Sequence, residues 1–168
     1  AWLGNLNVGF IQNWATGLPY GAVGSVRPGA CVTNPGYLTP PASVSYYFTG
    51  RDAYRTDDIM STDLSLTYSK RIAGSVEIYV TPRVSNVFNQ QKIGGVNTTV
   101  NTAVNSSAFK AFNPFTETNL IECPQFTPLA DCKAMGAHYQ KGALFGKPTG
   151  PGSYQATRNF QISVGVRF

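Results

Sequence analysis

Apolar and polar residues alternate most regularly over the last nine positions of the chain, from Phe160 to Phe168. Every second residue of this stretch is apolar, with Ile162, Val164 and Val166 between the two phenylalanines, and the intervening residues are polar or glycine. A period of two places successive side chains on opposite faces, which predicts a β-strand with one apolar and one polar face. Nine residues is also about the length that a tilted strand needs to cross a bilayer.

The same alternation predicts four further strands. They cover about residues 3–15, 20–26, 61–72 and 76–88, and the final strand covers about 158–168. Ala73, Gly74 and Ser75 form a connection short enough for a tight hairpin turn. The pattern leaves open whether Gly17–Pro19 bends one long strand or separates two strands.

Two stretches of the chain show no alternation, about residues 27–58 and 89–156, and they predict long loops. A short helix is expected near residues 128–135, inside the second loop. Pro82 lies on the apolar face of the fourth strand, and because proline cannot donate a ladder hydrogen bond, we expect a bulge or distortion there.

The connections are unequal: one end of the predicted sheet has a three-residue turn, and the other end has the two long loops. This asymmetry is typical of outer-membrane barrels, which combine short periplasmic turns with long extracellular loops. Aromatic residues lie near the strand ends, where interfacial girdles of such barrels occur. They are Trp14, Tyr20, Tyr68, Phe88, Phe160 and Phe168.

One set of strand faces is charged and the other is not. The charged faces suit either the solvated side of a small soluble sheet or the lumen of a wide barrel, and the lumen-facing candidates are Asp63, Arg71, Glu77, Arg83 and Arg167. Charged residues make up only 12% of the chain, about half the share of an ordinary soluble domain, and aromatic residues make up another 12%. This composition fits strands that are apolar on alternate residues only.

Several classes of protein are disfavoured. A transmembrane helix is excluded because no run of about 18 apolar residues occurs. The net charge of +5 comes from scattered lysine and arginine residues without a basic helix, so no nucleic-acid partner is expected. The chain begins at Ala1 without a methionine or a signal peptide, and we interpret it as a fragment or a processed piece.

Catalytic and metal-binding patterns are absent from the sequence. There is no Gly-x-Ser-x-Gly elbow and no phosphate-binding loop, so we expect neither an enzyme nor a cofactor. Cys123 and Cys132 close a short loop and can form a disulfide, which leaves Cys31 over. The cysteine spacing does not match a zinc site, so no metal is expected, and we expect His138, the only histidine, at the surface.

A charged and aromatic cluster is the strongest candidate for ligand binding. Its members could recognise a polar ligand or a hard cation such as calcium, which prefers oxygen ligands. The favoured interpretation, however, is that they pack a loop against a strand through internal ion pairs. The cluster consists of Arg51, Asp52, Tyr54, Arg55, Asp57 and Asp58.

Four runs in the sequence carry a resemblance to a known family. They are residues 34–41 (NPGYLTPP), 46–58 (YYFTGRDAYRTDD), 61–69 (STDLSLTYS) and 84–89 (VSNVFN). Their order and spacing resemble the C-terminal part of TonB-dependent outer-membrane receptors, of the Oar-like group that often carries a carboxypeptidase-regulatory-like domain. The terminal Phe168 is similar to the aromatic signature that the barrel-assembly machinery reads.

This resemblance implies an all-β fold: the last four or five strands of an antiparallel transmembrane barrel of about 22 strands, with long extracellular loops and a plug in its lumen. It implies a location in the bacterial outer membrane and uptake of a scarce ligand with TonB-supplied energy. The implied partners are outer-membrane lipid, the remaining strands and plug, the TonB complex and the barrel-assembly machinery.

Two other interpretations of the residues remain at this point. One is a soluble, secreted or surface β-sandwich that binds partners through tyrosine-rich loops. The other is a small, closed, adhesin-like barrel, which needs about eight strands, more than the alternation predicts.

Overall fold

The computed structural model describes residues 3–32, 38 and 41–168. Most of the 34–41 run therefore lies outside the described residues. The chain divides into two compact units. The sheet unit comprises Ala1–Gly17, Asp57–Gly94 and Gly152–Phe168, and the loop unit comprises Leu18–Thr56 and Gly95–Pro151.

The described part of the chain is mostly β-structure in antiparallel sheets, which confirms the predicted all-β class at this level. Among the strand pairs of the described residues, the short pairing of β9 with β10 is the parallel one. In chain order the elements are β1 (Asn5–Ala15), β2 (Pro19–Tyr20), β3 (Val23–Val26), β4 (Val44–Tyr47), β5 (Tyr54–Arg55), β6 (Ile59–Ala73), β7 (Val76–Ser85), β8 (Val100–Thr102), β9 (Glu122–Cys123), α1 (Leu129–Ala134), β10 (Tyr139–Lys141) and β11 (Asn159–Arg167). Two 3₁₀ turns, Pro28–Cys31 and Pro151–Ser153, complete the set.

The sheet unit is built on four long antiparallel strands in the order β1-β6-β7-β11. All of β1 pairs with β6, from Asn5 opposite Ser69 to Ala15 opposite Ile59. All of β11 pairs with β7. These are the strands that alternation predicted, although β7 ends at Ser85 and not near residue 88.

The hairpin between β6 and β7 turns at Gly74, whose φ of +53° suits a residue without a Cβ. The bulge expected at Pro82 was wrongly placed. Leu64 pairs with Val84 and Tyr68 with Val80, so the register is unchanged across the proline, and the one shift lies between Arg71 and Ala73 beside the turn. Pro82 keeps its regular position opposite Ile162 of β11.

The strand predicted over residues 20–26 is in fact two, β2 and β3. β1 pairs with β6 and β2 pairs with β5, so Gly17–Pro19 separates two strands and is not a hairpin turn. Side chains satisfy the backbone here: the Gly17 N–H donates to Asp58 Oδ1 at 2.7 Å and the Leu18 N–H to Thr56 Oγ1 at 2.8 Å.

The two predicted long loops contain regular structure, which corrects the expectation for both. Residues 27–58 include β4, β5 and a 3₁₀ turn, and residues 89–156 include β8, β9, α1 and β10. Strands of two to four residues are too short to display alternation, so the sequence pattern could not reveal them. The helix expected near residues 128–135 is confirmed as α1.

The loop unit contains a conventional core. One cluster packs Phe109 and Ala137 around the Cys123–Cys132 disulfide, which confirms the predicted pairing. A second cluster joins Ala22, Val100 and Tyr139. Gly24 lets β3 approach β8 closely, because a Cβ at this position would lie 2.7–2.9 Å from side chains of Thr102, Val100 and Phe48.

Candidate functional site

The register of the four-stranded sheet sorts its side chains into an apolar face and a polar face. Gln12 and Thr62 interrupt the apolar face directly opposite each other, and Thr62 Oγ1 donates a hydrogen bond to Gln12 Oε1 at 2.5 Å. The apolar face consists mainly of Leu6, Val8, Phe10, Trp14, Met60, Leu64, Leu66, Tyr68, Ile78, Val80, Pro82, Val84, Phe160, Ile162, Val164 and Val166.

Burial along β6 is the reverse of that in a water-soluble protein. Along the middle of β6, the apolar residues Leu64 and Leu66 are exposed, while the polar residues Ser65 and Thr67 beside them are half-buried. On β11, Ile162 and Val164 are each 71% exposed. All the fully buried apolar side chains that the structure describes lie in the loop unit.

Exposed aromatic residues border the apolar face. Trp14 and Phe160 lie at the end of the sheet away from the Gly74 turn, and Phe168 follows β11 at the opposite end. Nine residues, counted inclusively, run from Phe160 to Phe168, in line with the roughly 9–11 residues of a tilted membrane-crossing strand.

One predicted girdle residue was misassigned. Tyr20 belongs to the loop unit, where its ring lies 5.3 Å from that of Tyr54 and 6.1 Å from that of Phe145. It is therefore part of an internal aromatic cluster. Tyr68 and Phe88 are exposed, as expected for girdle residues.

The polar face carries the five residues proposed to face a lumen. Arg71, Glu77 and Arg167 form one cross-strand row, in which Arg167 Nη1 lies 3.7 Å from Glu77 Oε2. Asp63 accepts a hydrogen bond from the backbone N–H of Asn86 at 2.9 Å. Arg83 lies opposite Ser65, on the same face. The register thus brings these charges to one side of the sheet.

The charged and aromatic cluster over residues 51–58 is divided between the two units. In the sheet unit, Asp58 accepts the Gly17 N–H, and Asp57 Oδ2 accepts the N–H of Ile93 at 3.1 Å. In the loop unit, the Arg51 guanidinium lies 4.5 Å from the ring centroid of Tyr47. Asp52 is exposed, Tyr54 joins the Tyr20 cluster, and Arg55 belongs to β5. The two aspartates at the end of the cluster thus hold backbone in place.

A cavity of about 500 Å³ lies within the loop unit. Its wall is largely apolar and includes Val26, Val104 and Phe112. Two charged residues, Arg27 and Glu117, also line it, as does the free cysteine Cys31. No sequence pattern pointed to this site, because Arg27 and Glu117 are 90 positions apart and belong to no motif.

His138 adjoins this cavity wall and is buried, which corrects the expected surface position. It is only 3% exposed, and its ring packs edge-on against Phe112 at a centroid distance of 5.6 Å. Nδ1 accepts the backbone N–H of Ile121 at 2.9 Å, so the neutral ring carries its proton on Nε2. Nε2 has no hydrogen-bond partner among the described residues and lies 3.9 Å from Glu117 Oε2.

The environment of His138 opposes protonation. Burial lowers the pKa of its imidazole below the ordinary value, and the nearby Lys110 ammonium lowers it further, while Glu117 acts in the opposite direction. Protonation would also put a hydrogen on Nδ1, facing the Ile121 N–H. Two donors cannot form a hydrogen bond with each other, so the bond to Ile121 would be lost.

A further polar cluster of the loop unit surrounds Glu122. Tyr139 donates its hydroxyl proton to Glu122 Oε2 at 3.0 Å, and Lys141 Nζ lies 3.0 Å from Glu122 Oε1. Burial, together with the Glu122 carboxylate, raises the pKa of the Tyr139 hydroxyl. This group stays protonated at neutral pH and acts as a hydrogen-bond donor.

Among the described residues, no group of three or more histidine, cysteine or acidic side chains is arranged to hold a metal ion. The helix in the described part of the chain is too short and too polar to cross a membrane. Comparison with protein-family models, with curated proteins and with solved structures finds no match to this chain.

Proposed function

We propose that the chain is the C-terminal segment of the β-barrel of a TonB-dependent outer-membrane receptor, which takes up a scarce ligand with energy supplied through TonB. The observation that carries this proposal is the largely exposed apolar face of the four-stranded sheet, together with the half-buried polar residues that alternate with it along β6. Lipid is the environment in which an exposed apolar face is stable, and barrel strands alternate between lipid and lumen.

Three further features support the proposal. Aromatic residues flank the apolar face at a spacing suited to a bilayer. The charged residues Asp63, Arg71, Glu77, Arg83 and Arg167 share the opposite face, which in a barrel lines the lumen. The long connections form the folded loop unit, while β6 and β7 are joined by a tight turn.

In this proposal, the strands of the sheet unit lie in lipid, and the whole receptor lies in the bacterial outer membrane. Its partners are the remaining strands and plug, the TonB complex, and the barrel-assembly machinery, which would read Phe168. The role is binding and transport, without catalysis. In the alternative β-sandwich, the apolar face would pack against a second sheet, yet Ile162 and Val164 are largely exposed.

Spin labels on adjacent residues of β11 test the proposal. In a Cys31→Ser background, one variant carries Ile162→Cys on the apolar face and its matched control carries Ser163→Cys on the polar face. The whole gene product is studied in isolated outer membranes. We expect the label at 162 to collide with dissolved oxygen, which concentrates in lipid, and the label at 163 to collide with a water-soluble nickel chelate.

Two outcomes would contradict the proposal. A label at 162 that is shielded from both reagents would indicate a face buried against protein, as in a sandwich. A label at 162 that reacts with the nickel chelate as readily as the label at 163 would place both faces of β11 in water.

A further inference from the structure

The cavity of the loop unit combines an apolar wall with two opposite charges. Its volume of about 500 Å³ falls within the range of pockets that enclose small molecules. Val26, Val104 and Phe112 supply apolar surface, and Arg27 and Glu117 supply one positive and one negative group. A wall of this kind suits a ligand with an apolar body and charges of both signs.

Arg27 and Glu117 do not neutralise each other, because no ion pair joins them. Each charge is therefore able to meet an opposite charge on a ligand. A guanidinium binds a carboxylate through two parallel hydrogen bonds, and a carboxylate binds an ammonium group. These two contacts would fix the orientation of a ligand lying between them.

The backbone holds the Glu117 side chain in place. Its Oε1 accepts the N–H of Asn113 at 3.2 Å, and its own N–H donates to the Asn113 carbonyl at 2.9 Å. The Asn113 side chain in turn accepts the N–H of Phe115 at 3.0 Å. A carboxylate anchored in this way loses little conformational entropy when a ligand binds, which favours affinity.

We propose that this cavity binds a short peptide with free termini and an apolar side chain. Arg27 binds the ligand carboxylate, Glu117 binds its ammonium group, and the apolar side chain lies against Val26, Val104 and Phe112. The site lies entirely within the loop unit, so this inference does not require the sheet unit to lie in a membrane.

Cys31 is a native reporter of occupancy, because it is an exposed residue outside any disulfide and lines the cavity, where its Sγ lies 3.8 Å from the Phe112 carbonyl oxygen. The experiment measures the rate at which iodoacetamide alkylates Cys31 in the whole chain, in detergent or in buffer. The probes are alanyl-phenylalanine and alanyl-phenylalanyl-alanine, each also in N-acetylated and C-amidated forms. We expect the free peptides to slow alkylation in a saturable manner.

Testing each capped peptide on one variant shows which charged residue binds which end of the peptide. In the parent chain, N-acetylation of the peptide should weaken the protection of Cys31 by about tenfold or more, because it removes the ammonium group that Glu117 binds. In Glu117→Gln, N-acetylation should have little effect, because the carboxylate that binds the ammonium group is already absent. C-amidation should behave in the same way with Arg27→Gln. The glutamine at position 117 retains an oxygen that can accept the Asn113 N–H, and the circular dichroism spectrum of each variant is compared with that of the parent as a check of folding.

Calorimetry on the unmodified parent chain is the second measurement, and we expect it to give the same peptide affinities as the alkylation assay. The inference is overturned if neither peptide protects Cys31 at millimolar concentration, or if free and capped peptides protect equally. Either result would leave the membrane proposal intact, because that proposal is tested on β11.

Discussion

Asn86 shows how a single residue stabilises the end of the long sheet. It has a φ of +52° and is only 4% exposed. Its Oδ1 accepts the Gln90 N–H at 3.0 Å, and its Nδ2 donates to the carbonyls of Gln90 and Ala156, both at 2.8 Å. Asparagine tolerates this left-handed conformation better than most residues. The VSNVFN run thus has a structural role, because its Asn86 stabilises the chain where it leaves β7.

Replacing Asn86 with alanine should lower the free energy of unfolding of the sheet unit by about 2–4 kcal/mol, because three buried hydrogen bonds are lost at a left-handed position. Denaturant titration with the protein in its native lipid or detergent measures the loss. Asn89→Gly is the matched control: it keeps the left-handed conformation and removes the acceptor of the Arg158 N–H. An Asn86→Ala variant no less stable than this control would contradict the expectation.

His138 makes the stability of the loop unit sensitive to pH. Its folded-state pKa is lowered, so the unfolded chain takes up a proton first as the pH falls below about 6.5. The free energy of unfolding should therefore decrease as the pH falls from about 6.5 towards the lower folded-state pKa. His138→Asn preserves an acceptor for the Ile121 N–H but cannot titrate, so the parent should lose stability relative to this variant.

Thermal unfolding of both proteins between pH 7 and pH 5 measures this effect. The difference between parent and variant cancels the contributions of carboxylates that titrate in both. A difference that does not change with pH would show that His138 is not the titrating group.

At the scale of elements, the disulfide holds α1 against β9. Cys123 lies in β9, Cys132 lies in α1, and both are fully buried. Gln140 of β10 reinforces the cross-linked segment, since its Nε2 donates to the carbonyls of Pro124 and Thr127, both at 2.9 Å. Three short elements are thus joined by one covalent bond and one buried amide.

Replacing Cys123 and Cys132 together with serine should lower the free energy of unfolding of the loop unit by roughly 2–3 kcal/mol, the entropic value of closing a loop of this length. Denaturant unfolding monitored by aromatic fluorescence provides the measurement. Cys31→Ser, which removes the free thiol only, should leave stability unchanged. Equal effects of the two changes would indicate that the disulfide adds nothing to the fold.

At the scale of the whole molecule, the decisive feature is which face of the sheet meets which environment. Val164 lies mid-strand on the exposed apolar face, and Ser163 lies beside it on the polar face. Val164→Arg should cost about 2–4 kcal/mol of stability in a lipid bilayer if the residue lies near its midplane. Ser163→Arg, its matched control, should be nearly neutral.

Urea unfolding in lipid vesicles, followed by tryptophan fluorescence, compares these two variants. Both introduce the same charge into the same strand, so their difference reports the environment of each face. Equal stabilities would argue against the placement of this face in lipid and would favour a soluble sheet.

The long strands could be predicted from the sequence because their information is local. Alternation over nine to fifteen residues was sufficient to place β1, β6, β7 and β11 and to show which side chains of each strand share a face. The strand order and the register came from the structure. The grouping of Asp63, Glu77 and Arg167 on one face follows from the same period. The close cysteine spacing likewise indicated the disulfide.

Other properties depend on contacts between distant residues. Alternation predicts that a strand has two unlike faces, but only the tertiary structure decided that the apolar face of this sheet is exposed. The loop unit pairs strands of two to four residues that are far apart in the chain, such as β8 with β10, so their sequences carry no period. The burial of His138 and the meeting of Arg27 with Glu117 in one cavity were decided by that packing, since no local pattern records which side chains a fold brings together.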